Sequence, residues 1–252
     1  MTWLEQLAVF AAGIGAGGIN AVVGSGTLIT FPVLLAVGYP PVTANVSNTI
    51  GLVPGSLSGA IGYRRELRGQ RSRLIRLGTA SVLGGITGAI LLLTLPEGAF
   101  KAIVPALIIA ALVLVVAQPT LARRLKERQG EARPAHGGPI LIAAVYATGI
   151  YGGYFGAAQG VLLLGLMGVF LHEDMQRING VKNVLAMLVN GVSAIIFMFV
   201  ADVAWQVVAL IAVGSIIGGQ LGATVGRKLS PTVLRGVIVV VGLVAVVHLL
   251  TS

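Results

Sequence analysis

Eight apolar runs fill almost the whole chain and limit it to a helical fold inside a membrane. They cover residues 7–37, 43–63, 74–95, 98–117, 139–171, 178–200, 203–226 and 232–250, and six have the length of about 20 residues that crosses a bilayer as one helix. Only 10% of the 252 residues are charged, whereas a soluble domain carries about 25%. We therefore expect an all-α polytopic membrane protein.

The two halves of the chain resemble each other at an offset of 134 or 135 residues. Four matched pairs run in the same order through both halves: Gly17-Gly18 with Gly152-Gly153, Asn48 with Asn183, Gly84-Gly85-x-x-Gly88-Ala89 with Gly218-Gly219-x-x-Gly222-Ala223, and Lys101 with Arg235. The series predicts two membrane repeats of four segments each, residues 1–117 and 139–252. A basic cytoplasmic linker, residues 118–138, would join them.

The positive charges indicate how the repeats are oriented. The net charge is +9, and basic residues concentrate at 64–76 and 123–133. Lys and Arg stay on the cytoplasmic side of a membrane, so these stretches fit topology better than nucleic-acid binding. If runs 7–37 and 139–171 each enter and return on one side, only Lys101 lies outside. If every run crosses once, five further basic residues lie outside as well. The charges therefore favour inverted repeats whose first segments are re-entrant.

Both of these long runs are also rich in glycine. They exceed thirty residues and hold Gly13, Gly15, Gly17, Gly18, Gly24 and Gly26 in one, and Gly149, Gly152, Gly153, Gly156 and Gly160 in the other. Glycine weakens a helix by about 1 kcal/mol relative to alanine, which predicts two half-helices in each run. The alternative is close helix packing, which we expect for Gly84, Gly88, Gly218 and Gly222. Broken helices in inverted repeats are typical of secondary transporters.

Polar residues follow each long run at membrane depth. The first half has Asn45, Ser47, Asn48 and Thr49, and the second has Asn179, Lys182, Asn183 and Asn190. The spacing i, i+4, i+11 places the three asparagines of the second set on one helical face. Such clusters line a cavity or bond helices together. Lys182 is a lone cation that either faces this site or snorkels to the inner surface.

The acidic residues argue for an anionic substrate. All eight lie at termini or in predicted loops, whereas cation carriers place carboxylates at membrane depth. Half-helix N-termini offer free N–H groups and a positive dipole end to an anion. An intramembrane enzyme would need a nucleophile, base or metal cluster, and the chain has no cysteine. We expect no catalytic residue, no metal ligand and no cofactor.

Three ordered motifs point to a known family. Gly24-Ser25-Gly26-Thr27-x-x-x-Phe31-Pro32, Ala44-Asn45-x-x-Asn48-Thr49 running on to Gly62-Tyr63-Arg64-Arg65, and Gly149-Ile150-Tyr151-Gly152-Gly153-Tyr154-Phe155-Gly156-Ala157 resemble signatures of the TauE/SafE sulfite exporter family. The resemblance covers essentially the whole chain. It implies a multi-pass inner-membrane permease for sulfite, sulfoacetate or other organosulfonates. Gln159 stands where many members have a small residue.

The resemblance implies that the turns Gly24–Thr27 and Gly156–Gly160, together with Asn48 and Asn183, contact the substrate. Expected partners are a small anion and the lipid bilayer, with a homodimer left open and no nucleic acid. Alternating access is the expected mechanism, and an anion channel or a carrier of another small anion is the alternative. The candidate substrate-binding residues are Gly24, Ser25, Gly26, Thr27, Asn45, Asn48, Thr49, Gly156, Gln159, Gly160, Asn179, Lys182, Asn183 and Asn190.

Overall fold

The computed structural model describes residues 1–127 and 137–224, together with separate helical positions between 236 and 247. Within these ranges the chain is helical and contains no strand, as the sequence predicts. The helices are α1 (Trp3–Val22), α2 (Thr27–Ala36), α3 (Pro41–Gly62), α4 (Arg71–Thr94), α5 (Glu97–Glu127), α6 (Gly138–Tyr154), α7 (Gln159–Phe170), α8 (Met175–Val200) and α9 (Trp205–Thr224). Helix α5 extends ten residues into the predicted linker, of which 128–136 lie outside the described residues.

Four stretches within these helices are long and apolar enough to cross a membrane. They are Arg71–Thr94, Gly98–Ala117, Met175–Val200 and Trp205–Thr224. Their outward faces are apolar too: Phe199, at the end of α8, is 85% exposed, a position that only lipid would stabilise. Of the other runs predicted to be long enough to cross, 43–63 forms α3, with Pro54 inside it. Run 232–250 lies largely outside the described residues.

Each of the two long glycine-rich runs is two helices, as predicted. Run 7–37 divides into α1 and α2, and run 139–171 into α6 and α7. The chain turns at Gly24, with φ +86°, and at Gly156, with φ +75°, followed by Ala158 with φ 58°. Positive φ is a conformation that glycine adopts readily and other residues seldom do. The two interruptions therefore depend on a few residues rather than on the whole glycine clusters.

The remaining glycines of these runs serve helix packing, which is the alternative that the sequence left open. Gly13 and Gly17 lie inside α1 against Ile211 and Ser215 of α9. Gly149 and Gly153 lie inside α6 against the backbone of α4. The four glycines expected to pack closely do so as well: Gly84 and Gly88 against α6, and Gly218 and Gly222 against α1.

Helix packing repeats when the two halves are exchanged. α1 packs along α9 as α6 packs along α4, and α3 packs along α9 as α8 packs along α4. Single contacts repeat too: Gly85 faces Val189, and Gly219 faces Gly55. Both members of the second pair are 134 positions from their counterparts in the first. Equivalent helices of the two halves therefore make equivalent packing contacts.

Helices α3 and α8 meet between the halves and run in opposite directions. Gly59 lies beside Asn183, and Tyr63, just beyond α3, accepts a 2.7 Å hydrogen bond from Asn179 near the start of α8. The end of α3 thus lies at the start of α8. We call the surface at this end the basic face, because Arg64, Arg65, Arg68, Arg71 and Arg76 are exposed there.

An ion-pair cluster joins the halves at the basic face. Glu173, in the loop before α8, accepts from Arg73 Nη1 at 2.9 Å and from Arg177 Nε at 2.8 Å. Arg177 also donates to the carbonyl of Arg68 at 3.2 Å, and Gln70 donates to the carbonyl of Arg177 at 3.2 Å. Burial alone would raise the pKa of Glu173, but the hydrogen bonds and charges of the two arginines outweigh it and lower that pKa.

We predict that Gly24→Ala destabilises the protein more than Gly38→Ala. Both glycines have positive φ, +86° and +95°, so alanine costs about 1–2 kcal/mol of backbone strain at either. A Cβ at Gly24 would also overlap the backbone of Gly160, whereas none of the described atoms lies within 4 Å of a Cβ at Gly38. The overlap adds about 1–3 kcal/mol. Thermal unfolding of the detergent-purified variants measures both losses, and equal losses would contradict the close approach.

We also predict that Glu173→Gln lowers stability at neutral pH by about 1 kcal/mol, the usual size of a partly exposed ion-pair network. Because the folded-state pKa of Glu173 is lowered, its contribution is present above the unfolded carboxyl's pKa and is lost as the pH falls through the folded value. The difference in unfolding temperature between wild type and Glu173→Gln is therefore expected to shrink below about pH 4. A difference that stays constant with pH would contradict the ion pairs.

Candidate functional site

The two helix interruptions touch each other between the halves. The N–H of Gly160 donates to the carbonyl of Gly24 at 3.0 Å. A Cβ on Gly160 would come within 3.0 Å of the Gly24 carbonyl oxygen, and within 3.1 Å of Cδ of Lys182. The absence of side chains at both glycines is what allows the backbones to meet. Around this contact lie most of the polar residues selected from the sequence.

Lys182 lies directly beside this junction and is 0% exposed. Its Nζ donates to the carbonyl of Asn20 at 3.0 Å and to that of Ala21 at 3.2 Å. These carbonyls lie at the C-terminal end of α1, which carries a partial negative charge and attracts a cation. Lys182 therefore does not snorkel to the surface. Its Nζ lies inside the protein, on a residue about two turns along α8.

Two asparagines of α8 bind the same end of α1. Asn183 Nδ2 donates to the carbonyl of Ala21 at 3.2 Å, and Asn179 Nδ2 approaches it at 3.5 Å. With Lys182, three donors converge on one carbonyl oxygen, which has two lone pairs. Each of the three also has a second acceptor: Asn20 for Lys182, Tyr63 for Asn179 and the carbonyl of Asn179 for Asn183. Asn190, predicted to share this face, is half-buried and lies about 10 Å further along α8.

The first half has a matching arrangement. Asn45 Nδ2 donates at 2.9 Å to the carbonyl of Tyr154, at the C-terminal end of α6. Asn48 Nδ2 donates to the hydroxyl of Thr27 at 3.3 Å, and its Oδ1 accepts from the hydroxyl of Thr30. Thr49 donates to the carbonyl of Asn45 within α3, so its hydroxyl is engaged in its own helix. The second half therefore holds the cation, and the first half holds neutral amides and hydroxyls.

Gln159 and Ser25 bring buried polar groups to the turns without a protein partner. Gln159 is 3% exposed, and its side chain lies over Gly152, where any Cβ would overlap its amide. In the described part of the chain, Gln159 Nε2, Ser25 Oγ, Asn45 Oδ1 and Asn179 Oδ1 have no hydrogen-bond partner. Buried polar atoms in proteins are nearly always hydrogen-bonded. These groups are thus available to a polar ligand or to water.

Several of the backbone N–H groups expected to bind an anion already have acceptors. The N–H of Gly26 donates to Asn20 Oδ1 at 3.3 Å. At the start of α7, Gln159 donates to Gly156, Gly160 to Gly24, and Val161 to Ala158. Only the bond from Gly160 to Gly24 crosses between the interruptions, so their separation would free the N–H of Gly160.

Three residues of this cluster were not among the sequence candidates: Asn20, Thr30 and Tyr63. Asn20 and Thr30 are polar residues inside apolar runs, which is a usable signal of buried polar contacts. Tyr63 follows the motif glycine at the end of α3, but its contact with Asn179 joins residues 116 positions apart. A contact over that separation leaves no local pattern in the sequence.

The described cavity lies away from this cluster. It has a volume of about 380 Å³ and is lined by Pro41, Thr43, Leu92, Val200 and Asp202, among others. Val200 lies 18 residues along α8 from Lys182, about 27 Å. The cavity is therefore at the face opposite the basic face. It is not part of the candidate site.

Long apolar helices, interrupted helix pairs and a buried polar centre define a multi-pass membrane transporter. The family model described as "Sulfite exporter TauE/SafE" matches residues 9–249. The chain therefore belongs to the TauE/SafE sulfite exporter family, which confirms the resemblance seen in its motifs. The family and the relatives below are described as transporters and not as enzymes.

The relatives are similar along nearly their whole length. The chain is 26% identical to "Probable membrane transporter protein ORF9" of a Sinorhizobium species, over 97% of this chain and 92% of that protein. It is 25% identical to a "Probable membrane transporter protein" of Haemophilus influenzae, over 94% and 91%. The same identity relates it to "Probable membrane transporter protein YfcA" of Escherichia coli K12, over 96% and 88%. No solved structure matches the chain significantly.

We predict that Gly152 and Gln159 are energetically coupled. A methyl group at position 152 would occupy the place of the Gln159 amide, so Gly152→Ala should lower the unfolding temperature. In a Gln159→Ala background the amide is gone and the same substitution should cost less. A double-mutant cycle on thermal stability is expected to give a coupling of about 1 kcal/mol. Additive effects would show that the amide does not lie over Gly152.

Proposed function

We propose that this transporter moves small sulfur-containing anions, such as sulfite, sulfoacetate or other organosulfonates, across the inner (plasma) membrane by alternating access. One observation carries the proposal. Lys182 is a fully buried amine, and no carboxylate oxygen of a described residue lies within ion-pair distance of its Nζ. A protonated amine without a counter-charge is costly to bury, and an anionic substrate would supply that counter-charge.

The surrounding groups fit an oxyanion better than a cation. Lys182, Asn179 and Asn183 direct their N–H donors toward one carbonyl, that of Ala21. Gln159 and Ser25 add buried donors without a protein partner. Sulfite and sulfonate groups carry three oxygens that accept hydrogen bonds. Support for sulfur in particular comes from the family description, because the relatives are named only as transporters.

Inverted repeats are part of the same proposal. The opposite directions of α3 and α8, and the helix packing that recurs on exchange of the halves, support two repeats related by a pseudo-two-fold axis in the membrane plane. Such repeats can rock against each other around a fixed site. The ion-pair cluster holds the halves together at the basic face, and the cavity lies between α3, α4 and α8 at the other face.

An anion channel is the second candidate, and one observation favours a carrier over it. The backbones of Gly24 and Gly160 touch and share a hydrogen bond at the junction. Anions could pass this point only after the interruptions separate. Movement tied to a conformational change of this kind is the property of a carrier. Counterflow in proteoliposomes tests it, since a carrier exchanges labelled for unlabelled sulfite or sulfoacetate without net current.

We predict that Lys182→Gln abolishes stabilisation by the substrate anion. A thermal-shift panel of sulfite, sulfate, thiosulfate, sulfoacetate and simple carboxylates on wild-type protein should reveal at least one stabilising anion. A ligand at 100 times its dissociation constant stabilises by about 2.7 kcal/mol. Arg71→Gln is the control, since it removes the same charge from an exposed position of the basic face, and should leave the shift intact. Equal shifts in both variants would remove Lys182 from the site.

A further inference from the structure

The hydrogen-bond partners of Lys182 fit an uncharged amine. An ammonium has three N–H donors and a neutral amine has two. The structure gives Nζ two acceptors, the carbonyls of Asn20 and Ala21, and no third acceptor among the described residues. The unliganded site therefore satisfies every N–H of the neutral form. It leaves one N–H of the charged form without a partner.

The charges near Lys182 do not favour the ammonium strongly either. The C-terminal end of α1 contributes about half an elementary charge, and full burial removes the solvation that water gives an ion. Among neighbouring elements, α1 carries only Glu5 at its far end, and α7 carries no ionisable group. The ionisable groups of the other neighbouring elements include Tyr63 and Glu66 after α3, Arg73 in α4, Tyr151 and Tyr154 in α6, and Glu173 and Arg177 before Lys182. None is ion-paired with Lys182.

We propose that Lys182 takes up a proton together with the transported anion, so that the protein is a proton–anion symporter with one proton moved per anion. The inference rests on the anion site proposed above. The anion oxygen provides the third acceptor and the negative charge that the ammonium lacks. The proton comes from the aqueous phase when the anion binds, and returns to the aqueous phase on the other side when the anion leaves. Lys182 is neutral during the return of the empty carrier.

Two consequences follow from thermodynamic linkage. Because binding of the anion favours binding of the proton, the proton favours the anion to the same degree. Affinity for the anion should therefore fall with rising pH, by up to about tenfold per pH unit where the free protein has lost the proton. A singly charged anion and one proton together carry no net charge. Transport of a monoanion should then respond to a pH gradient and not to the membrane potential.

Calorimetric titration of the detergent-purified protein tests the proton uptake. The probes are methanesulfonate and sulfoacetate, whose sulfonate groups stay ionised at all relevant pH values. Titrations at one alkaline pH, in buffers of different ionisation enthalpy, give the number of protons bound per anion. We expect about one proton for wild type and none for Lys182→Arg, because arginine stays protonated. A further control, Arg71→Gln, alters a cation outside the site and should keep the wild-type value.

The possible outcomes separate this inference from the proposed function. Binding without proton uptake in the wild-type protein would overturn the proton coupling and leave the anion site standing. Uptake that persists in Lys182→Arg would assign the proton to another group and also overturn the inference. Failure of both probes and of every anion in the thermal-shift panel to bind would overturn the proposed function and the coupling together. If Lys182→Arg does not fold, a wild-type titration without proton uptake still overturns the inference.

Discussion

An interrupted helix inside a membrane leaves backbone carbonyls that water cannot reach, and this chain binds them with side chains. The C-terminal ends of α1 and α6 lie at membrane depth, where an unsatisfied carbonyl costs several kcal/mol. Lys182 and Asn183 of α8 bind the end of α1, and Asn45 of α3 binds the end of α6. Each interruption is thus stabilised by the third helix of the opposite half, α8 for the end of α1 and α3 for the end of α6.

The same contacts give the two halves different chemistry. Asn45 and Asn179 are 134 positions apart and hold equivalent places at the two helix ends. At that offset, which the contacts of Gly85 with Val189 and of Gly219 with Gly55 follow, the counterpart of Asn48 is Lys182 and not Asn183. Asn48 is neutral, and its side chain bonds Thr27 and Thr30. The first half therefore has neutral amides and hydroxyls around the helix end that it binds, and the second half has an amine. The two halves thus pack alike but differ in the chemistry of their buried polar residues.

Much of this fold follows from the sequence, because run length, glycine content and positive charge are local signals. They predicted the helical membrane fold and the division of the two long runs into helix pairs. They did not show which glycines turn the chain: Gly17 and Gly153 pack against neighbouring helices, whereas Gly24 and Gly156 have positive φ. Candidate site residues could be selected from the sequence because they are polar residues inside apolar runs. Their partners could not, since contacts such as that of Lys182 with Asn20 join residues far apart in sequence.

The two ends of the boundary between α3 and α8 differ because equivalent positions of the two halves carry different residues. At the offset of 134, Arg177 corresponds to Thr43, and Arg68 to Asp202. Arg177 and Arg68 lie in the ion-pair cluster of the basic face. Their counterparts Thr43 and Asp202 line the cavity at the opposite face. If the repeats exchanged conformations, the basic face would have to give up the contacts that join the halves there: the Arg73–Glu173 ion pair and the hydrogen bonds of Arg177 with Arg68 and Gln70. These contacts favour the conformation in which the basic face is closed.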